Sequence, residues 1–186
     1  MNTENSLIND IRVFMRKRRM HLGIGAQYRA AQALAKQLQV HPEVQKSQQI
    51  ACYWAVGGEL SCRNSITQLW RLGKQCYLPV IDFSADVNTM TFRQYRPGDR
   101  LVPNRYGIPE PVAGRYCVVD ELDCVLTPLV AFDNNGNRIG MGGGFYDRAF
   151  ARCKHTVLLG MAYRFQQVSM IKPQAWDVPL DDVIAV

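Results

Sequence analysis

Apolar positions recur along this chain in two periods, and the alternation between them outlines a fold. From Ser6 to about Leu22 the apolar residues Leu7, Ile8, Ile11, Phe14 and Met15 fall at helical spacing. Gln27 to Val40 repeats the pattern through Ala31, Leu34, Ala35 and Leu38, and His41-Pro42 ends it. Ile50 to Val56 is instead continuously apolar, as expected of a strand buried on both faces of a parallel sheet. It runs into Gly57-Gly58-Glu59-Leu60-Ser61, a strand-to-helix turn with a carboxylate at its tip. Ile66, Leu69, Trp70 and Leu72 mark a helix closing at Gly73, Ser61 being available to cap its start, and Gln75 to Ile81 supplies the next strand. Thr89 to Tyr95 reads as a further strand. Arg96 to Val112, rich in Pro, Gly and charge, reads as a long ordered loop with the character of a lid.

The second half repeats the alternation. Leu122 to Phe132 is predicted as a strand, Phe145 to Cys153 as a helix, and His155 to Tyr163 and Val183 to Val186 as two more strands. Strands alternating with helices predict an α/β fold: one domain over residues 1–186, a three-layer αβα arrangement with a mainly parallel, doubly wound (Rossmann-like) sheet.

Between the predicted strand 122–132 and helix 145–153 lies Arg138-Ile139-Gly140-Met141-Gly142-Gly143-Gly144-Phe145-Tyr146-Asp147-Arg148. Strand, glycine loop and helix start make a cradle for a phosphate, with amide N–H groups and the positive helix end directed at it. A P-loop would end in Gly-Lys-Ser/Thr, but Gly144 is followed by Phe145 and Tyr146. A dinucleotide fingerprint counted from Gly140 would need glycine at Phe145. The alternative is a glycine-rich hairpin or tight turn. Arginines at both ends and Asp147 favour the anion site.

A second basic feature lies on the first helix, where Arg12, Arg16 and Arg19 share a stripe beside the apolar face. They can form a solvated basic face, or lay their stems on the domain and aim their heads into a cleft. A basic arm for RNA is a third option, without interleaved aromatics to stack bases. The net charge of +6 is compatible with a nucleic acid or with a polyanionic small ligand. The six cysteines form no Cys-x-x-Cys pair and the three histidines are dispersed, which argues against zinc and against a disulfide framework. With no apolar run approaching the ~20 residues of a spanning helix, and no export pattern in Met1-Asn2-Thr3-Glu4-Asn5, a cytoplasmic location is expected.

Taken together, the ordered motifs resemble the 5-formyltetrahydrofolate cyclo-ligase (methenyltetrahydrofolate synthetase) family over nearly the whole chain. The resemblance is carried by Pro128-Leu129-Val130-Ala131-Phe132-Asp133, Gly136-Asn137-Arg138-Ile139-Gly140 and Gly142-Gly143-Gly144-Phe145-Tyr146-Asp147-Arg148. Gly58-Glu59-Leu60, Gly73-Lys74-Gln75-Cys76-Tyr77-Leu78-Pro79, Gly107-Ile108-Pro109-Glu110-Pro111 and Trp176-Asp177-Val178-Pro179-Leu180-Asp181 extend it. The resemblance implies closure of 5-formyltetrahydrofolate to 5,10-methenyltetrahydrofolate with ATP as co-substrate and Mg2+ as metal. It implies small-molecule partners rather than nucleic acid or membrane, and a monomer.

It also implies roles. Arg12 and Arg16, with the loop Arg138, Ile139, Gly140, Met141, Gly142, Gly143, Gly144, Phe145 and Tyr146, would bind ATP; Asp147 and Asp177 would hold magnesium. Trp54, Glu59, Tyr106 and Phe145 would contact the folate, with Tyr146 and Arg148 as catalytic residues. Some positions have plainer readings: Trp54 as core, Glu110 as a loop residue, Asp177 as a turn cap, Asp181 as structural. The chain departs from the family pattern at Ile8, where many relatives carry lysine, at Ser61-Cys62, where Asp-Thr is common, and at Phe145, where tyrosine is more frequent. Two other readings stay open: a phosphate-ligand enzyme for a sugar phosphate or coenzyme A, and a non-catalytic basic RNA-binding protein.

Overall fold

The computed structural model describes residues 3–83 and 89–186, with side chains from Ser6 onward. The elements in order are α1 (Thr3–Met20), α2 (Ile24–Val40), α3 (Pro42–Lys46), β1 (Gln49–Ala51), α4 (Arg63–Arg71), β2 (Gln75–Asp82) and β3 (Thr89–Gln94). Then come β4 (Leu101–Pro103), β5 (Pro109–Pro111), β6 (Tyr116–Cys117), β7 (Cys124–Pro128), β8 (Ala131–Phe132), β9 (Arg138–Ile139), α5 (Phe145–Phe150), β10 (Val157–Ala162) and β11 (Asp182–Ala185). Seven strands form one sheet in the order β11-β10-β7-β1-β2-β3-β6. The pairings from β11 through to β2 are parallel, and β3 and β6 add antiparallel at one edge. The expected α/β class with a mainly parallel sheet is found.

Side chains alternate across a strand, and here that divides the core in two. Ile50 and Cys52, Cys76 and Leu78, Cys124 and Leu126, and Leu159 and Met161 face Leu34 and Leu38 of α2 and Ile66 and Leu69 of α4. The intervening Ala51, Tyr77, Val125 and Leu158 face the other side, where Phe150 of α5 and Phe92 of β3 cover them. All six cysteines are free thiols and five are buried, used as small apolar residues. Among the described residues no helix is long and apolar enough to cross a membrane.

Several predicted boundaries need correction. The apolar run 50–56 is regular strand only to Ala51, with one more ladder bond from Cys52 N to Tyr77 O at 2.8 Å. Beyond it the Tyr53 hydroxyl bonds the Leu60 carbonyl, closing a local loop that leaves the sheet. The predicted strand 122–132 is two strands. Pro128 has no N–H to continue a ladder, and the Leu129 carbonyl is taken by Arg19 and Gln166 side chains. The chain then forms a separate β8–β9 hairpin, so it is a hairpin that delivers the glycine loop. The loop 96–112 contains the β4–β5 hairpin, with Asn104 Oδ1 accepting from the N–H groups of Tyr106 and Ile108 at its turn. Helix α5 stops at Phe150 rather than Cys153. At α4 the N-cap position is Cys62, whose side chain makes no cap bond, while Ser61 Oγ accepts from the first helical N–H, Arg63 N, at 3.4 Å.

The chain moves from β1 outward to β2 on one side and to β7, β10 and β11 on the other. Between β1 and β7 the order therefore reverses, and the segments following these two strands diverge. In open α/β sheets this point is where ligands bind.

Candidate functional site

A cleft of about 1290 Å³ opens at that reversal point. Small-molecule pockets commonly span ~300–1,000 Å³, so the volume suits two ligands side by side better than one. Its walls come from α1, the segment after β1, the β4–β5 hairpin, the glycine loop with α5, and residues 171–177. Each residue given a role above lines it: Trp54, Glu59, Tyr106, Arg12, Arg16, the run 138–148 and Asp177. Their sequence separations are large, and the topology alone brings them together.

At one end the glycine loop lies against α1. Arg12 Nε donates to the Gly140 carbonyl at 2.9 Å, and Arg12 Nη1 is steadied by Asn9 Oδ1 at 2.9 Å. A Cβ on Gly142 would lie 3.6 Å from the Arg12 guanidinium carbon, and Gly142 has φ +96°, a conformation that favours glycine. The loop backbone thus rests on a cation. Because α5 is only six residues long, its dipole adds little, and the available anion donors are loop amides and arginines. Arg138 donates to Asp147 Oδ1 at 2.6 Å and also bonds the Val178 carbonyl. Val178 N donates to the same Oδ1 at 3.2 Å, so the bonds to Asp147 from Arg138 and Val178 fall on one of its oxygens. Asp177 serves as a turn cap, accepting from Gln174 N at 2.8 Å, and lines the cleft as well.

The middle is aromatic. Tyr106, exposed on the β4–β5 turn, meets Phe145 edge to face with centroids 6.3 Å apart, and Arg148 lies over the Phe145 ring at 5.2 Å. Burial pushes the Tyr146 hydroxyl far above the usual phenol range, with Glu59 adding to the effect, so it stays protonated near neutral pH. Its ring stacks on Phe150 at 17°.

At the other end, Glu59 sits at the tip of the turn after β1. Its side chain is 9% exposed and lies 3.9 Å from Arg19. Its Oε2 accepts from Val56 N at 3.1 Å. Burial pushes Glu59 above the ordinary carboxylate range, opposed by the Val56 N–H and Arg19. Trp54 is half-buried, packs edge to face on Tyr95 and carries Arg63 over its ring at 5.1 Å, so it serves the core and the cleft at once. Glu110 accepts from Ile81 N and Asn104 Nδ2, which fixes the hairpin to β2. Asp181 accepts from Leu158 N at 2.7 Å, a structural role.

Lys172 lines the cleft and had no role in the sequence reading, and Trp176, which lines it too, counted there only as part of a motif. Both lie in an irregular segment without periodicity, where only proximity in sequence to Asp177 could have suggested a role.

An open α/β sheet with a glycine loop and a large cleft at its reversal point is the architecture of a small-molecule enzyme. The comparisons narrow that class: the chain belongs to the 5-formyltetrahydrofolate cyclo-ligase family, whose model matches residues 6–186. It is 38% identical over 188 residues to the 5-formyltetrahydrofolate cyclo-ligase of Haemophilus influenzae, covering 99% of each chain. To the enzyme of that name from Escherichia coli K12 it is 39% identical over 175 residues, covering 91% of this chain and 95% of the other. The solved structure of Aquifex aeolicus 5,10-methenyltetrahydrofolate synthetase superposes with a TM-score of 0.83 at 28% identity, covering 96% of this chain and 89% of the other.

Proposed function

We propose that this cleft converts 5-formyltetrahydrofolate to 5,10-methenyltetrahydrofolate at the expense of ATP, releasing ADP and phosphate. The observation that carries the reading is one continuous cleft holding a glycine loop on a cationic wall at one end and the buried Glu59 carboxylate at the other, with aromatic rings between. Family membership supports it.

A formamide carbon is a poor electrophile and its oxygen a poor leaving group, which is why the reaction needs ATP. The formyl oxygen attacks the γ-phosphorus, the bond to ADP breaks, and an iminium phosphate forms. The folate N10 then adds to the activated carbon, its proton is lost, and phosphate departs. No covalent enzyme adduct is required, so the protein contributes positioning and charge neutralisation. Arg12, Arg16 and Arg138 face the phosphate end, with loop amides as donors. Glu59, Trp54, Tyr106 and Phe145 hold the folate. Tyr146, a neutral hydroxyl where the two ligands meet, donates a hydrogen bond to the transferred group, and Arg148 adds positive charge beside Phe145.

Asp147 and Asp177 are hard oxygen donors on the cleft wall. Among the described residues no group of three or more His, Cys, Asp or Glu is placed to enclose a metal. A carboxylate pair suits magnesium, which usually keeps waters and phosphate oxygens in its shell. Asp147 and Asp177 would hold it, and the chemistry it would supply is neutralisation of phosphate charge. On this reading residues 1–186 act as one domain, in a cytoplasmic monomer that takes neither nucleic acid nor membrane as partner.

Purified protein with 5-formyltetrahydrofolate, ATP and magnesium should show an ATP-dependent rise in near-ultraviolet absorbance from the methenyl product, abolished by chelating the metal. No rise would overturn the proposal.

A further inference from the structure

We infer that Arg19 is a positioning residue for the folate end of the cleft: its charge holds Glu59 as an ionised acceptor while its own hydrogen bond goes elsewhere, leaving the carboxylate open to the ligand. The inference rests on the reading above, in which Glu59 faces the folate's heterocycle.

The geometry has three parts. Arg19 is 1% exposed, unusual for a guanidinium, yet it reaches the cleft. Its Nη1 donates to the Leu129 carbonyl at 3.2 Å, so main chain at the end of β7 anchors the group. The same nitrogen lies 3.9 Å from Glu59 Oε1, well beyond the ~2.7–2.9 Å of a charge-assisted hydrogen bond. Attraction is retained at that distance while Oε1 keeps its lone pairs for another donor, Oε2 alone being taken by Val56 N.

The spacing is built into the backbone. Gly58, with φ +76°, brings its Cα so close to the end of α1 that a Cβ there would sit 2.9 Å from the Arg19 carbonyl carbon and oxygen. Main chain of the turn therefore touches main chain of α1 directly beside the pair. Among the described residues Arg19 Nε has no hydrogen-bond partner, so the guanidinium is held for its charge more than for the number of bonds it makes.

The groups around Glu59 single out Arg19. From α1 come Arg19 and, further along the stripe, Arg16, which acts on Arg19. Tyr53 and Cys62 flank Glu59 in the chain, Tyr146 comes from α5 and Tyr163 follows β10. Burial pushes all three tyrosines up and the Cys62 thiol up to about 12, so these neighbours are neutral near pH 7. Arg19 is the cation acting on Glu59, opposing the effect of burial. A pterin-like ring presents N–H donors along one edge, and a charged acceptor binds them more strongly than a neutral acid.

The test is steady-state kinetics on the full chain with Arg19→Gln, which can still donate to Leu129. Removing the cation makes Glu59 easier to protonate, so the acid limb of kcat/KM for 5-formyltetrahydrofolate should move up by about one pH unit. The folate KM should rise about tenfold while the ATP KM stays within about twofold. In a Glu59→Gln background, Arg19→Gln should leave the folate KM unchanged within about twofold, since the group it serves is gone. Arg19→Lys, which keeps the charge, should leave the acid limb in place, and Arg19→Met, similar in length but uncharged, takes the place of Arg19→Gln if that variant does not fold. An unmoved acid limb in a folded Arg19→Gln protein, equal losses for both substrates, or a shifted limb in Arg19→Lys would overturn the inference. Failure of the unsubstituted protein to turn over 5-formyltetrahydrofolate would instead overturn the functional reading beneath it.

Discussion

Replacing Gly58 by alanine should destabilise the protein through two separable effects. The first is conformational: at φ +76° an L-residue with a Cβ is strained by roughly 1–2 kcal/mol. The second is steric, because the new Cβ would lie 2.9 Å from the Arg19 carbonyl carbon and oxygen and 3.1 Å from Met20 N. These are backbone atoms, which cannot swing aside, so relief requires α1 to move away from the turn. Overpacking of that kind costs about 1–3 kcal/mol, giving a total of about 2–5 kcal/mol. For a chain of this length each kcal/mol lowers Tm by roughly 2–4 °C, so a fall on the order of 10 °C is expected. Gly57 supplies the control: it has φ +56°, yet nothing lies within 4 Å of its ideal Cβ, so Gly57→Ala should show the conformational effect alone. Denaturant unfolding of both variants, followed by fluorescence of Trp54, Trp70 and Trp176, measures the difference. Losses equal within about 0.5 kcal/mol, the usual scatter of independent sites, would show that the turn does not press on α1 and would refute the reasoning.

Asp147→Asn should raise the magnesium concentration for half-maximal turnover by about tenfold or more, since a carboxylate ligand becomes a neutral amide; unchanged magnesium dependence would remove Asp147 from the metal site. Asp133 is buried and accepts from the N–H groups of Asn135, Asn137 and Ile171 and from the Asn137 amide, so Asp133→Ala should cost about 2–4 kcal/mol by equilibrium unfolding. Burial alone would push its carboxyl up, but these bonds hold it below the ordinary range. The stability it confers is therefore present above the ordinary carboxylate pKa of about 3.9 and is lost as pH falls through the depressed folded value, a loss that unfolding of the alanine variant should lack. Tyr106→Ala, at an exposed position, should raise the folate KM by about three- to tenfold, the worth of an aromatic contact, with Tm unchanged; a fall in Tm would mark the ring as structural.

What the sequence disclosed depended on periodicity. The helical stripe Ala31, Leu34, Ala35 and Leu38 is buried as a set, because one face of a helix has only one core to meet. The alternation of strands and helices led to the correct class for the same reason. The errors fell where side chains, not patterns, end an element. The run 122–132 is mostly apolar, and although Pro128 marks a possible break, nothing in it signals that Arg19 and Gln166 claim the Leu129 carbonyl and complete the division. The 96–112 segment looked irregular because Pro103, Pro109 and Pro111 are rare in strands, but they sit in a two-stranded hairpin outside the main sheet. In the site, the motif residues were legible singly and their common cleft was not. That Arg138 would lie against Asp147, and Arg19 within reach of Glu59, depends on the path of the sheet.

Helix α1 supplies Arg12, Arg16 and Arg19 to the cleft, yet among its described side chains only Met15 and Arg19 are buried. Leu7, Val13, Phe14 and Met20 are exposed, and its apolar packing is with the small cluster around Val130, Ala131 and Ile139, supplemented by Arg19 on the Leu129 carbonyl and by the Gly58 turn at its end. The wall bearing much of the positive charge is thus a weakly anchored element, with an opening free energy below that of the sheet. Occupancy of the cleft should then be legible in amide hydrogen exchange: residues 6–20 exchange through partial opening when the cleft is empty, and slow markedly when a ligand bridges α1 to the glycine loop.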